Sequence, residues 1–220
     1  ENLTRSERTL EGMLRVGMVE SLFEMLFQPA VVRYHQRFPR VRVELTVDGT
    51  ATLQEQLRQG QLDAACLIDG PVPQGQWNLW QVRQAAIVVV ANPRHRLAGW
   101  AQVPLEELTG EEFILMESSA PYSAGFQRAM AAKGLPVEPF LQLQSAEMAL
   151  RLVQEGPFLS VLPDYAVRRA MEEGLVRVLP IPDLQLVQQV QMVLWRTKVV
   201  TPQIQGFLEE LRQALEELPG

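Results

Sequence analysis

The chain has 220 residues, 47% of them hydrophobic and 21% charged, enough to fill one large core or two smaller ones. Its formal charge of −6, with basic residues scattered along the chain, excludes unaided binding to a phosphate backbone, where clustered Lys and Arg must replace condensed counterions. The longest apolar run, 85–91, is too short to cross a bilayer, the first residues lack the basic-then-apolar pattern of a signal peptide, and a lone cysteine, Cys66, forbids an intrachain disulfide, so a cytoplasmic protein without membrane contact is expected.

Residues 1–11 are polar and read as the tail of a segment that continues upstream. From Leu14 onward strand-like and helix-like stretches alternate, the mark of parallel βαβ units in an α/β sheet. A strand is predicted at 14–19, then a helix over 21–38 with Pro29 as a kink or late start, then a strand at 41–47. Thr52-Leu53-Gln54-Glu55 fits a capping box, with Gly60 as the helix C-cap. A strand at 62–68 and a Pro/Gly-rich loop lead to a long strand at 80–91, broken by Asn92-Pro93.

The alternation then begins again, and a second lobe is the economical explanation. Strands are predicted at 113–116, 137–143, 158–162 and 176–179. The helices between them are read as 122–133 closed by Gly134, 146–154 closed by Gly156, and one opening on Pro163 and ending near Gly174. A strand at 190–195 and an amphipathic helix over 202–218, with Ile204, Phe207, Leu208, Leu211 and Leu215 on one side, return to the first lobe. The lobes are therefore expected as 12–91 with 192–220 and as 92–191, with a hinge near Ala91 and Met192.

Four stretches, in order and at compatible spacing, carry a family resemblance over about residues 12–215. They are Leu14-Arg15-Val16-Gly17 with the later His35-Gln36-Arg37-Phe38-Pro39; Leu57-Arg58-Gln59-Gly60-Gln61-Leu62-Asp63; Asn92-Pro93-Arg94-His95-Arg96-Leu97 with Leu105-Glu106-Glu107-Leu108; and Leu152-Val153-Gln154-Glu155-Gly156 with Val161-Leu162-Pro163. The chain resembles the effector-binding region of LysR-type transcriptional regulators. The resemblance implies two Rossmann-like lobes joined by two crossover strands, a type 2 periplasmic-binding-protein-like fold, with a small-molecule inducer held between the lobes. It further implies a homodimer, a tetramer at full length, and an output through changed oligomer geometry. DNA would be met only by an N-terminal winged helix-turn-helix absent from these residues. Two departures stand out: Val19-Glu20 replace an expected hydroxyl, leaving Ser21 as the nearest, and Pro157-Phe158 replace an expected glycine, so that Phe158 narrows the cleft.

In an open α/β sheet, ligands sit beyond the carboxyl ends of the strands, where helix N-termini present spare N–H groups. That rule selects Val19, Glu20, Ser21, Thr50 and Thr52 in the first lobe and Ser118, Ser119, Gln144 and Ser145 in the second. The hydroxyls suit a carboxylate or phosphate; Thr52 and Ser145 equally suit capping of their own helices. Glu20, Glu117 and Glu147 suit an amine, pointing to an amino acid, or are solvated acids at helix starts.

No catalytic motif is present, and neither a cofactor nor a metal is expected: His35 and His95 lie in different segments without partners at ligand spacing and read as surface or hinge residues. Cys66 reads as a small buried apolar residue more readily than as a redox sensor. Trp80 and Trp195, in strands, are expected to fill core. A porphobilinogen-deaminase-like enzyme would need cleft arginines absent from these corners. The alternative from another class is a free-standing solute-binding protein of a transport system.

Overall fold

The first strand begins before its apolar stretch does. In the computed structural model, which describes residues 9–73, 75–117 and 120–218, β1 (Glu11–Met18) pairs in parallel with β2 (Arg40–Val47), from Glu11 with Arg40 to Met18 with Val47. Glu11, assigned to a linker by its polarity, is thus the first paired strand residue. Residues 1–8 of that segment lie outside the described residues.

Between these strands runs α1, one helical run in three pieces: Glu20–Leu22, a π-helical turn Phe23–Phe27, and Gln28–Arg37. Pro29 sits in the first turn of the last piece. Its ring crowds the preceding turn and it has no N–H to give, and the wider π turn ahead of it absorbs both defects. The next helix, α2 (Thr50–Arg58), opens two residues before the predicted capping box, with Gly49 as N-cap and no side-chain cap. The reason is that β2 ends at Val47 and Asp48 N–H returns at once to the Met18 carbonyl (3.2 Å), so the chain turns into the helix directly. Gly60, at φ +71°, closes α2 in the left-handed conformation, with Gln61 N–H on the Gln56 carbonyl at 2.9 Å.

β3 (Ala64–Asp69) joins β1 in parallel, and β9 (Leu186–Trp195) adds to β3 antiparallel. Asp63 fastens this corner: its carboxylate accepts from Arg15 N–H at 2.7 Å and pairs with Lys198. Gly17 is required for packing, since a Cβ there would lie 2.7 Å from both Leu53 Cδ2 and Leu62 Cδ1. The last helix, α6 (Pro202–Glu216), lies on α1 through Phe207 and Tyr34, whose rings meet edge-on at 5.1 Å. Gly206 permits that approach, because a Cβ would stand 2.4 Å from the Phe38 ring. Around the contact, Arg33 pairs with Glu210 (3.1 Å) and Arg37 with Glu209 (2.9 Å).

The second compact unit is built the same way. β4 (Trp77–Ala91) pairs antiparallel with β7 (Leu159–Pro163), which is parallel to β5 (Phe113–Met116), which is parallel to β6 (Leu141–Leu143); the short β8 (Arg177–Val178) pairs antiparallel with β4. Helices α3 (Pro121–Ala132), α4 (Ala146–Glu155) and α5 (Asp164–Glu172) connect the parallel strands. Only the last three residues of the stretch predicted as strand over 137–143 pair, as β6. Pro163 ends β7 and caps α5 instead of opening the helix, and Gly156 is extended rather than left-handed. A short 3-10 helix, Leu105–Gly110, was not anticipated by any periodicity.

The chain changes units at Arg83/Gln84, within β4, and at Gln188/Gln189, within β9. Ala91, predicted as hinge, pairs with Leu159 inside the second unit, and Met192 pairs with Cys66 inside the first. Strand continuity hides the boundary from the sequence, because β4 and β9 each run unbroken through a crossing at a polar pair, Arg83-Gln84 and Gln188-Gln189.

Candidate functional site

In the first unit the parallel strands β1, β2 and β3 end together. Val19 N–H donates to the Cys66 carbonyl (3.1 Å) and the Thr50 hydroxyl donates to the Ile68 carbonyl (3.3 Å), so the starts of α1 and α2 are tied to the end of β3. Val19, Ser21 and Thr50 are buried, Ser21 completely; Glu20 is half-buried and Thr52 is exposed. Of the predicted hydroxyls, then, Thr52 faces water on the first turn of α2, and Thr50 already uses its proton.

Two acids at this end were not selected from the sequence. Asp48 follows β2 directly and accepts Gly49 N–H at 2.7 Å; Asp69 is the last residue of β3 and accepts Gly70 N–H at 2.6 Å. With Glu20 they put a carboxylate at the end of every parallel strand of the unit. The loop after Asp69 is held by Gln191, a fully buried amide that donates to the Gly70 carbonyl (2.9 Å) and accepts from Val72 N–H (3.1 Å). Gly49 after Asp48 and Gly70-Pro71 after Asp69 mask these acids as ordinary turn residues; their positions in sheet register reveal them.

In the second unit Glu117 follows β5 and accepts from the Gln144 side chain at 2.9 Å, which brings the ends of β5 and β6 together. Ser145 accepts Met148 N–H at 3.2 Å, so it caps α4, the alternative its position allowed. Glu147, in the first turn of α4, pairs with Arg151 one turn on. Ser123, unremarked in the sequence, is fully buried and accepts Met116 N–H at 3.0 Å, pinning the first turn of α3 to the end of β5. Ser118 and Ser119 lie outside the described residues.

Phe158 does not belong with these groups. It precedes β7 and stacks on Phe140 (5.5 Å, 6° between rings), while Leu159 N–H bonds the Glu112 carbonyl. Glu112 and Glu117 are five residues apart along β5, about 16 Å. The phenyl ring is therefore at the amino end of the sheet, where it meets Gly156 and cannot narrow a site at the carboxyl end.

Three other sequence candidates are also resolved by position. His95 is buried, not superficial: Nε2–H donates to Glu111 at 3.0 Å and Nδ1 accepts from Leu97 N–H at 3.2 Å, so a neutral ring is fully satisfied. Cys66 is buried, and burial pushes its thiol up, away from the reactive thiolate. Trp80 and Trp195 are half-buried rather than core, and Trp195 meets Trp77 edge-on at 5.3 Å. Among the described residues no three His, Cys, Asp or Glu side chains cluster as a metal site, and no helix is long and apolar enough to cross a membrane.

Two units of parallel strands, each ending in uncapped helix starts and acids, with two strands running on from one unit to the other, match one family along nearly the whole chain: residues 7–216 align with the LysR substrate binding domain. The chain belongs to that family. Similar curated proteins are an HTH-type transcriptional regulator of Methanocaldococcus jannaschii, 22% identical over 90% of this chain and 68% of its own length, and the HTH-type transcriptional regulator SoxR of an Arthrobacter species, 21% identical over 93% and 68%. These relatives are transcriptional regulators, not transport proteins, so the solute-binding alternative falls away. Among solved structures, the Synechocystis CcmR regulatory domain in complex with 2-PG has TM-score 0.79 at 20% identity, covering 96% of this chain and 100% of that one. The effector binding domain of QuiR in complex with shikimate has TM-score 0.73 at 13% identity, covering 96% and 100%. The type 2 periplasmic-binding-protein-like class of this LysR-type effector-binding domain is thereby shown.

Proposed function

We propose that this LysR effector-binding domain senses a small zwitterion such as an amino acid at the carboxyl ends of its parallel strands. One observation carries the reading: among the described residues the strand ends bear Glu20, Asp48, Asp69, Glu117, Glu147 and Asp164 and no Lys or Arg. A plain dicarboxylate would meet that edge with repulsion, whereas an ammonium group is attracted to it. The carboxylate of the effector has donors too. Helices α1, α2 and α3 all start without a cap bond from the N-cap side chain, and the positive end of a helix suits an anion.

The two edges differ. In the first unit Asp48 and Asp69 accept the backbone N–H groups of Gly49 and Gly70, whereas in the second Glu117 is met by Gln144 and Glu147 by Arg151. We assign the ammonium group to the strand ends of the first unit. The contributing residues are Val19, Glu20, Ser21, Asp48, Thr50 and Thr52 in the first unit and Gln144 and Ser145 in the second, with Phe158 withdrawn; Ser118 and Ser119 lie outside the described residues.

Isothermal titration calorimetry and thermal shift with a panel of amino acids, amines and dicarboxylates test the reading. A zwitterion at about 100 times its dissociation constant adds roughly 2.7 kcal/mol of stability. Asp48→Asn should weaken the same ligand, which would tie its ammonium group to the strand ends of the first unit. Tight binding of a dicarboxylate with none of any amino acid refutes it.

The remaining elements of the proposal follow the family. The domain acts without catalysis in the cytoplasm as part of a homodimer, and of a tetramer in the whole regulator. Effector binding changes oligomer geometry, and DNA is contacted by a helix-turn-helix beyond these residues. Footprinting of the whole regulator on its promoter with and without the effector found above checks this output.

A further inference from the structure

The amino end of β3 carries a second recess within the first unit. Arg58, Gly60, Trp195, Thr197, Lys198 and Val199 line most of its volume of about 560 Å³, a size within the range of small-molecule sites. The extent of β3, about 16 Å, separates it from the acids at the strand ends, so it is a different site. Its chemistry is also the reverse of theirs. Among the described residues its only charged lining groups are the cations Arg58 and Lys198. The acids that balance them, Glu55 at 2.9 Å from Arg58 and Asp63 paired with Lys198, do not line it.

Trp195 supplies an indole that is only half-buried and is held edge-on against Trp77. Val199, 76% exposed, adds apolar surface at the rim. An apolar aromatic wall facing two cations suits a flat ring bearing a negative group, since ring faces stack while the anion pairs with Lys and Arg. We propose that this recess binds an aromatic carboxylate, its ring against Trp195 and its carboxylate toward Arg58 and Lys198. The recess is also placed to signal. Its wall includes Thr201, whose hydroxyl oxygen accepts Ile204 N–H and caps α6, and α6 carries Glu209 and Glu210, which pair with α1.

Phenylacetate is the probe and 2-phenylethanol its neutral counterpart, each titrated into the intact 220-residue chain and followed by ¹H–¹⁵N correlation spectra. Phenylacetate should shift the Trp195 indole N–H and the Gly60 and Thr197 amides saturably, and the alcohol should bind far more weakly. Trp195→Leu should weaken binding by about fivefold, the order of one aromatic contact, and the exposed Arg58→Gln by about threefold, the order of one exposed charge pair. Since Trp195 also packs on Trp77, Arg58→Gln keeps the test decisive if the tryptophan variant is unfolded. Equal binding of the alcohol, no change at Arg58→Gln, or shifts confined to Val19–Ser21 and Gly49–Thr52 would overturn the proposal.

Discussion

Asp63 is the residue whose loss should report most directly on how the first unit is held. Its side chain is 16% exposed, accepts Arg15 N–H at 2.7 Å, and pairs with Lys198, itself 30% exposed. A hydrogen bond to a charged group contributes about 1.5–3 kcal/mol, and a half-exposed ion pair adds less than about 1 kcal/mol. Asp63→Ala should therefore destabilise by about 2–3 kcal/mol, near the upper part of the first range because it also strands a backbone N–H. For a protein of this size that lowers Tm by about 5–10 °C in a thermal melt followed by circular dichroism. Asp63→Asn keeps an oxygen for Arg15 and should lose only about 1 kcal/mol, similar to Lys198→Met. In a double-mutant cycle, Asp63→Asn with Lys198→Met should cost less than the two single changes together. A Tm within about 1 °C of wild type for Asp63→Ala would refute the assignment. Equal losses for the alanine and asparagine variants would show that the backbone bond is not the dominant contact.

Gly206→Ala places a Cβ 2.4 Å from the Phe38 ring and should destabilise by about 1–3 kcal/mol through overpacking, read from the urea midpoint. Burial holds the Cys66 and Tyr34 protons more firmly than their ordinary values of 9.0 and 10.0. The unfolded chain therefore ionises first, and stability is full below pH 9 and falls as pH rises. The slope is about 1.4 kcal/mol per pH unit for Cys66 once that range is entered; urea titrations from pH 7 to 11 should lose this part of the slope in Cys66→Ala and the part above pH 10 in Tyr34→Phe. The native thiol should also resist a disulfide reagent that labels it fully in denaturant. Phe158→Ala should leave effector affinity unchanged in calorimetry while losing stability, because its ring stacks on Phe140 at the opposite end of the strands.

The alternation of strands and helices was plain in the sequence because strands such as β3, β5 and β7 are short apolar blocks and the longer helices carry an apolar stripe. Gly60 and Gly134 were legible as helix ends since both need a left-handed backbone. Boundaries set by tertiary pairing were not: Glu11 joins β1 because Arg40 lies beside it, and residues 137–140 stay outside β6 despite a strand-like pattern, though Phe140 N–H reaches the Phe113 carbonyl at 2.8 Å. The strand-end rule found Val19–Ser21 and Gln144–Ser145, but composition alone hid Asp48 and Asp69 among turn residues. Phe158 was misplaced for a related reason. It flanks a strand, as the others do, but at the end the chain enters rather than the end it leaves.

Thr50 gives the strand-end site a direction that a list of hydroxyls does not. A hydroxyl has one proton to donate and lone pairs to accept with. The Thr50 proton is committed to the Ile68 carbonyl at 3.3 Å, so toward a ligand this residue can only accept. Together with Glu20, Asp48 and Asp69 it lines the first unit's edge with side-chain acceptors, suited to an ammonium group. The donor capacity that a carboxylate needs must then come from backbone N–H groups at helix starts rather than from side chains of this edge. An N-acetyl derivative of the effector should consequently lose what the first unit provides. If Asp48→Asn weakens binding of the free zwitterion but leaves the N-acetyl derivative unchanged, the ammonium end lies on the first unit. The opposite pattern would refute that placement.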